Sequence, residues 1–420
     1  MKIAVIGAGW AGCAAAVEAT RHGHAVTVFE AARTPGGRAR RVMATLGGKP
    51  LVLDNGQHIL IGAYTETLRL MEDLGVDEGA AFLRLPLAMR FPDGSGLALP
   101  DWPAPLDALA GIVGARGWPW ADKLSLLRLA LGWRLAGFTC APERSVSDLC
   151  SELAPGVMAA LIEPLCVSAL NTPPGRASGQ VFLRVMRDAL FARSGGSNLL
   201  LPRTDLGALL PDAALAWLAA QGSAFRPGTR VRAIDHTAPG WRVDGEGFDR
   251  IVLACPLNEA ARLVQGSGIS AEGWLAAARG LRHEALATVY AHSPGARLAR
   301  PLLALASGAG EPAQFAFDRG QLGGPAGLLA FVISASQGEG DLLTRQVLAQ
   351  AARQLELADL QPVRTLVDKR ATFACTPGLS RPAPGIADGL LACGDYIAGP
   401  YPATLEGAVR SGLEAARNLR

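Results

Sequence analysis

Lys2-Ile3-Ala4-Val5-Ile6-Gly7-Ala8-Gly9-Trp10-Ala11-Gly12 decides the fold. Five strand-forming residues run directly into a G-x-G-x-x-G turn. Gly7 permits the tight turn, Gly9 lets backbone approach a pyrophosphate, and Gly12 lets the following helix pack closely on the strand. At the new helix N-terminus the free N–H groups, those of Trp10 and Ala11 among them, face the phosphate charge. Glycine-rich turns are common in a chain with 50 Gly, so the context carries the argument. Ala16 and Gly23 occupy small-residue positions of the helix, and residues 24–29 read as a second strand ending in Glu30. A carboxylate there accepts hydrogen bonds from a ribose 2′-hydroxyl and repels a 2′-phosphate, which points away from NADP.

Composition sets the outer bounds. A chain of 420 residues holds two domains with sizeable cores. Charged residues make up 18% and the net charge is +3, too small an excess to argue for nucleic acid. The seven cysteines form no C-x-x-C pair and no metal-ligand spacing, so buried thiols in a reducing compartment are expected, with no metal site. The first strand begins at residue 2 with no signal peptide before it, and no uncharged apolar run reaches the length of a membrane span. The expected location is the cytoplasm, with peripheral attachment to the inner face of the cell membrane as the variant of it.

Two further segments separate NAD from FAD. Pro35-Gly36-Gly37-Arg38-Ala39-Arg40 follows Glu30 directly, and with it the chain resembles the FAD-dependent amine oxidase and phytoene desaturase superfamily. The resemblance implies that Gly36 and Gly37 bring backbone near the flavin phosphates and that Arg38 supports that region. Near the C-terminus an apolar run at 389–393 leads into Gly394-Asp395-Tyr396 and then Pro402-Ala403-Thr404-Leu405-Glu406-Gly407. Physically this is a strand, a loop and a helix with Thr404 as N-cap. The positive end of that helix suits the electron-rich pyrimidine side of a reduced flavin. By resemblance Gly394 and Asp395 meet the ribityl–phosphate region, while Thr404 and Leu405 present backbone to the isoalloxazine.

The cofactor motifs are separated along the chain, so the expected fold is α/β with discontinuous parts. A Rossmann-like FAD-binding domain of the glutathione reductase and amine oxidase type draws on 1–75, 205–264 and 385–420. An inserted, mixed α+β substrate domain draws on 76–204 and 265–384. Within the second piece we expect a helix at 208–221 and strands at 229–234, 240–243 and 249–254. The superfamily has a comparable strand whose backbone meets the adenine, which points to Val231.

Leu53-Asp54-Asn55-Gly56-Gln57-His58 lies where the superfamily brings a glycine-containing stretch against the flavin ring. Gly56 and Gln57 are backbone contacts by that match. Two roles fit His58: an imidazole exchanging protons near neutral pH, or a structural group that caps the helix after it or bonds core backbone. Residues 118–138 read as a helix whose leucines surround the axis, broken by Lys123, Arg128 and Arg134. Such a helix is buried, or it faces lipid or an oily ligand; burial is the expectation, and Trp and Arg at its ends keep a membrane-interface role open. Few titratable residues occur outside the cofactor segments, so the site is expected to be an apolar tunnel with one or two polar groups.

A narrower resemblance rests on Asp54-Asn55-Gly56-Gln57-His58, on Pro164-Leu165-Cys166-Val167-Ser168-Ala169-Leu170-Asn171-Thr172-Pro173, on Arg370-Ala371-Thr372-Phe373 and on 402–407. Together they resemble the squalene-associated, FAD-dependent desaturase-like family, the hydroxysqualene dehydroxylases of bacterial hopanoid biosynthesis. Amine oxidases often carry a Lys that holds water against flavin N5, on a strand matching 283–292; here no Lys lies between 124 and 368. The resemblance implies FAD as cofactor, the long isoprenoid hydroxysqualene as substrate, and a further electron donor that it does not name. Protonation and loss of the allylic hydroxyl leave a delocalised cation that accepts a hydride from reduced flavin N5. His58, as the acid or as the residue orienting a proton-donating water, and Asn171, as a polar contact to the hydroxyl, are the candidate catalytic residues. Two other readings share the fold: a carotenoid- or phytoene-type desaturase, and a non-catalytic prenyl-binding carrier.

Overall fold

The computed structural model describes residues 1–419. Its centre is Lys2–Ile6, where every side chain from Ile3 to Ile6 is buried. Such a strand must be covered on both faces and paired on both edges. It pairs in parallel with Ala25–Phe29 on one side and Arg250–Leu253 on the other. The complete sheet runs Ala224–Arg226, Ala25–Phe29, Lys2–Ile6, Arg250–Leu253, Leu390–Ala392 and Gly385–Ala387. Only the last of these strands is antiparallel. The strand order reverses beside Lys2–Ile6, which places the ligand crevice of a doubly wound sheet at its C-terminal end.

Helix Trp10–Arg21 lies on this sheet at backbone contact. A Cβ on Gly12 would fall 1.9 Å from the Gly7 carbonyl oxygen, and one on Gly412 would fall 2.2 Å from that of Ala11. Glycine at both positions lets the helix press against the strand on one side and against helix Leu405–Arg417 on the other.

A second sheet is wholly antiparallel, in the order Leu302–Ala304, Phe315–Asp318, Leu328–Ser334, His283–His292 and Gln361–Phe373. Its side chains alternate as a pleat requires. Leu328, Ala330 and Val332 join one core, whereas Leu329, Phe331 and Ile333 join another beneath helix Gly340–Gln354. A small three-stranded sheet pairs Leu60–Ile61 and Phe82–Leu85 with Leu199–Pro202. Segments from both sides of residue 75 therefore share one sheet.

Three local expectations change. The helix expected at 208–221 breaks into Leu206–Leu209 and Pro211–Ala220, because a proline ring cannot sit inside a continuous helix. Of the strand expected at 229–234, only Ile234 enters a ladder, at the start of Ile234–Thr237. The preceding backbone is tethered instead by the Asp244 carboxylate, which accepts from the N–H groups of Arg232 (3.0 Å) and Ala233 (2.8 Å). The apolar helix spans Trp120–Leu135 and is not a core helix: only Leu126 and Trp133 are buried along it.

Glu406 ties two distant segments together. Helix Thr65–Asp73 has no side-chain cap from its own N-cap residue, Tyr64. The fully buried Glu406 carboxylate supplies one, accepting from the N–H groups of Glu66 (3.1 Å) and Thr67 (3.0 Å) and from the Thr67 hydroxyl (2.7 Å). Arg410 Nε donates to it at 2.6 Å. Glu406→Ala leaves these donors and a cation without their acceptor, and the expected loss is on the order of 3 kcal/mol. Urea denaturation followed by circular dichroism measures it as a lower midpoint.

Candidate active site

The two sheets enclose a cavity of about 680 Å³. Backbone lines its first end. Gly7 has φ +117°, and the Gly36 N–H donates to the Ala8 carbonyl at 2.8 Å, stacking the two glycine loops. A Cβ on Gly37 would lie 3.3 Å from the Gly9 Cα, so a side chain there would crowd the facing loop. Helix Trp10–Arg21 has no side-chain cap and no acidic residue in its first turn. The N–H groups of Trp10 and Ala11 therefore remain available where both residues border the cavity. Gly12 does not border it; its role is the helix–strand contact.

Glu30 braces this loop. Its carboxylate accepts from Ala8 N–H and Ala32 N–H, both at 2.8 Å. Across the cleft, Val231 also borders the cavity, and its N–H meets no acceptor among the described residues. Free donors at an uncapped helix start, a glycine cradle and one orphaned amide opposite suit a dinucleotide: pyrophosphate at the first two, adenine at the third.

In the middle of the cavity Arg38 and Asp395 meet each other. Arg38 Nη2 pairs with the buried Asp395 carboxylate, and Nη1 donates to the Ala371 carbonyl at 2.9 Å. The pair joins the first and last cofactor segments to the strand Gln361–Phe373, and both residues still border the cavity. Beyond them, helix Leu405–Arg417 starts as expected. Thr404 Oγ1 accepts from Gly407 N–H at 3.0 Å, leaving the Leu405 N–H free at the cavity edge.

Gly56, Gln57 and His58 form the opposing wall. Gln57 Nε2 donates to the Tyr290 hydroxyl at 2.7 Å, and that hydroxyl donates to the Asp54 carbonyl at 2.7 Å. Arg319 Nη1 reaches Gln57 Oε1 at 3.3 Å. Burial, reinforced by the Arg38 guanidinium, pushes the His58 imidazole down to about 4. His58 is therefore neutral near pH 7 and is not itself a cationic acid, which leaves the water-orienting half of its expected role.

Asn171 requires a larger revision. It borders the cavity, but its residue is the left-handed C-cap of helix Glu163–Leu170, at φ +46°. Its amide nitrogen donates to Thr372 Oγ1 (3.0 Å) and to the Ala285 carbonyl (3.4 Å). Its amide oxygen accepts from Ala335 N–H at 2.6 Å. Both amide hydrogens are engaged within the protein, so this side chain braces helix against sheet, and any contact to a hydroxyl falls to the second lone pair of its amide oxygen.

The far end of the cavity is apolar, walled by Leu87, Met89, Leu165, Met186, Phe315 and Phe317. Strand His283–His292 contributes Leu286 there and no amine. Two tyrosines that the motifs did not reveal also face this space. The Tyr401 hydroxyl donates to Asp188 at 2.8 Å, and Tyr64 lies in the wall nearby. One signal was available: the chain has only four tyrosines, and all of them line the cavity or, as with Tyr290, hold a residue that does.

Asp54 gives the site a pH signature. Burial raises its carboxyl from 3.8 to about 6, partly opposed by the Leu206 N–H it accepts at 2.8 Å. Between those values the folded chain keeps a proton that the unfolded chain has released. The contribution of Asp54 to stability is thus complete below pH 3.8 and is lost as pH rises through about 6. Asp54→Asn retains an acceptor for Leu206 without the titration. Its stability relative to the parent chain is expected to rise by on the order of 2–3 kcal/mol from acid to neutral pH. Urea titrations at each pH read this difference, in which the His58 contribution cancels.

With this geometry in view, the relationships to known proteins are informative. Residues 10–420 match the family model of the flavin containing amine oxidoreductases. Hydroxysqualene dehydroxylase of Rhodopseudomonas palustris is 29% identical, over 98% of this chain and 96% of its own length. The Sinorhizobium fredii protein of the same name is 26% identical over 99% and 97%. Zeta-carotene desaturase of Synechocystis is 36% identical, but over 19% of this chain and 15% of its own. An oxidoreductase structure from Methanosarcina mazei superposes with a TM-score of 0.73 at 17% identity, covering 100% of both chains, a likeness of fold. The chain belongs to the flavin-containing amine oxidoreductase family, and its cofactor is FAD.

Proposed function

We propose that this FAD-dependent oxidoreductase reductively dehydroxylates hydroxysqualene to squalene. The observation that carries the reading is the end-to-end match to two hydroxysqualene dehydroxylases, at 96% and 97% of their lengths. The apolar half of the cavity supports it, because a long isoprenoid needs walls without unpaired polar groups.

The reaction balances as follows. The allylic C–O bond breaks as its oxygen takes a proton and leaves as water; a hydride then forms the new C–H bond. FAD, when bound and reduced, supplies that hydride. The chain's own residues hold the reactants and control the proton. Gly7, Gly9, Trp10, Ala11, Gly36 and Gly37 would present backbone to the pyrophosphate and Val231 to the adenine, and the Glu30 carboxylate would meet the ribose. Gly12 holds the helix that carries two of these donors. The Arg38–Asp395 pair and Gly394 would hold the ribityl region, and Gly56, Gln57, Thr404 and Leu405 would hold the ring. Leu286 and the phenylalanines exclude the water that would recapture a cation. His58, neutral and beside Gly56, would orient a single water that relays a proton from solvent to the leaving oxygen, so that the water is restored and no hydroxide is left.

A desaturase removing hydrogens from a polyene is the second reading. The short match to zeta-carotene desaturase favours it. A prenyl carrier without flavin fits poorly with free amides at both cofactor helices. Anaerobic incubation of the reduced holoprotein with hydroxysqualene is expected to yield squalene by gas chromatography–mass spectrometry. No squalene, together with oxidation of phytoene by the oxidised protein, would reverse the assignment. His58→Ala is expected to keep its flavin spectrum while kcat falls by roughly 100-fold; undiminished turnover removes His58 from the proton path.

A further inference from the structure

We infer that helices Leu106–Val113 and Trp120–Leu135 form a face that docks on the surface of an anionic phospholipid bilayer. Eight of the twelve exposed large apolar side chains among the described residues lie between 102 and 135. They are not scattered there. At about 100° per residue, Trp120, Leu124, Leu131 and Leu135 fall within roughly 60° of one another around their helix. Leu106, Leu109 and Val113 fall within a similar arc of theirs. The buried Leu126 and Trp133 lie on the opposite side. Helix Trp120–Leu135 thus has two apolar faces, one against the core and one outward, which is why its leucines surround the axis.

The two outward faces are joined. Lys123 Nζ donates to the Val113 carbonyl at 2.8 Å and lies 4.9 Å from the centre of the Trp120 ring. Arg116, Arg128 and Arg134 are exposed, and none has a carboxylate partner among the described residues. A leucine and tryptophan stripe edged by unpaired guanidinium groups complements lipid tails edged by anionic headgroups. No helix among the described residues is long and apolar enough to cross a membrane, so this face lies on the bilayer.

Its position gives docking a purpose. Helix Leu106–Val113 packs through Gly111 on Leu99, and Arg116 exchanges backbone hydrogen bonds with Gly96 at 2.9 and 3.0 Å. Gly96–Ala98 pairs in turn with Ala88–Arg90, whose Ala88 and Met89 border the cavity. The lipid-facing layer is therefore built onto the wall of the apolar chamber. The inference rests on the isoprenoid reading only for its cargo.

Sedimentation of the holoprotein with phosphatidylglycerol–phosphatidylcholine vesicles, without substrate, tests the docking. The protein is expected to pellet with these vesicles and to bind pure phosphatidylcholine about tenfold more weakly. Added salt is expected to reduce binding. Leu124→Glu with Leu131→Glu, at exposed positions, is expected to keep flavin content and melting temperature while losing binding about tenfold or more. Arg128→Glu is a second variant, expected to lose about fivefold on anionic vesicles only. A parent protein that stays in the supernatant overturns the inference, as does a leucine variant that pellets equally. So does analytical ultracentrifugation showing a dimer that the leucine variant dissociates, since the face would then cover a second copy. Binding that persists when the squalene assay fails leaves the docking standing without the substrate.

Discussion

Contact of backbone against backbone is the constraint on which the rest of this molecule depends. Helix Trp10–Arg21 is clamped between Gly7 of the central strand and Gly412 of the last helix, with no space for a Cβ at Gly12 or Gly412. That clamp sets where the first helix begins, and so where its free N–H groups point. It also sets where helix Leu405–Arg417 begins, some four hundred residues further on. Two helix starts, each with positive dipole ends, are brought to one cavity by the same pair of contacts. A cofactor long enough to span them would meet backbone donors at both ends.

The charges that are present serve mostly to join segments. Arg38 and Asp395 bind the first and last cofactor segments to each other, and Arg38 reaches the second sheet through Ala371. Glu406 caps a helix that is distant in sequence. Asn171 spends its amide on the second sheet. Each closes a long loop between parts of a discontinuous fold, where hydrophobic contact alone leaves orientation loosely specified. The reacting end has the reverse character. Its walls are mostly apolar, His58 is held neutral, and the Asp188 carboxylate that borders it is paired with Arg184 and Arg187 and accepts from Tyr401.

Legibility followed the range of the interactions. Thr404 caps the helix that follows it by accepting from an N–H three residues on, so its role was readable from local chemistry. Gly7 and Gly36 were readable because a positive φ and backbone within 2.7 Å of any Cβ leave glycine alone at those turns. Residues 229–233 were misread as strand because their composition is β-forming, whereas their neighbours in space leave the Val231 amide open. The bracing role of Asn171 is not legible in sequence, because its three partners lie 114 to 201 residues away. Tyr401 was missed because nothing near it in sequence announces Asp188.

The sequence by itself determined the doubly wound α/β core, FAD as the cofactor and the family, because these rest on short glycine motifs whose geometry is local. The tertiary structure decided which polar groups remain free and which apolar faces remain uncovered. Helix Trp120–Leu135 makes the distinction plain. Its leucines announce burial in any one-dimensional reading, yet only one side of it meets the core. Periodicity reports how apolar a helix is on each face; only the positions of the neighbouring elements decide which of those faces meets protein.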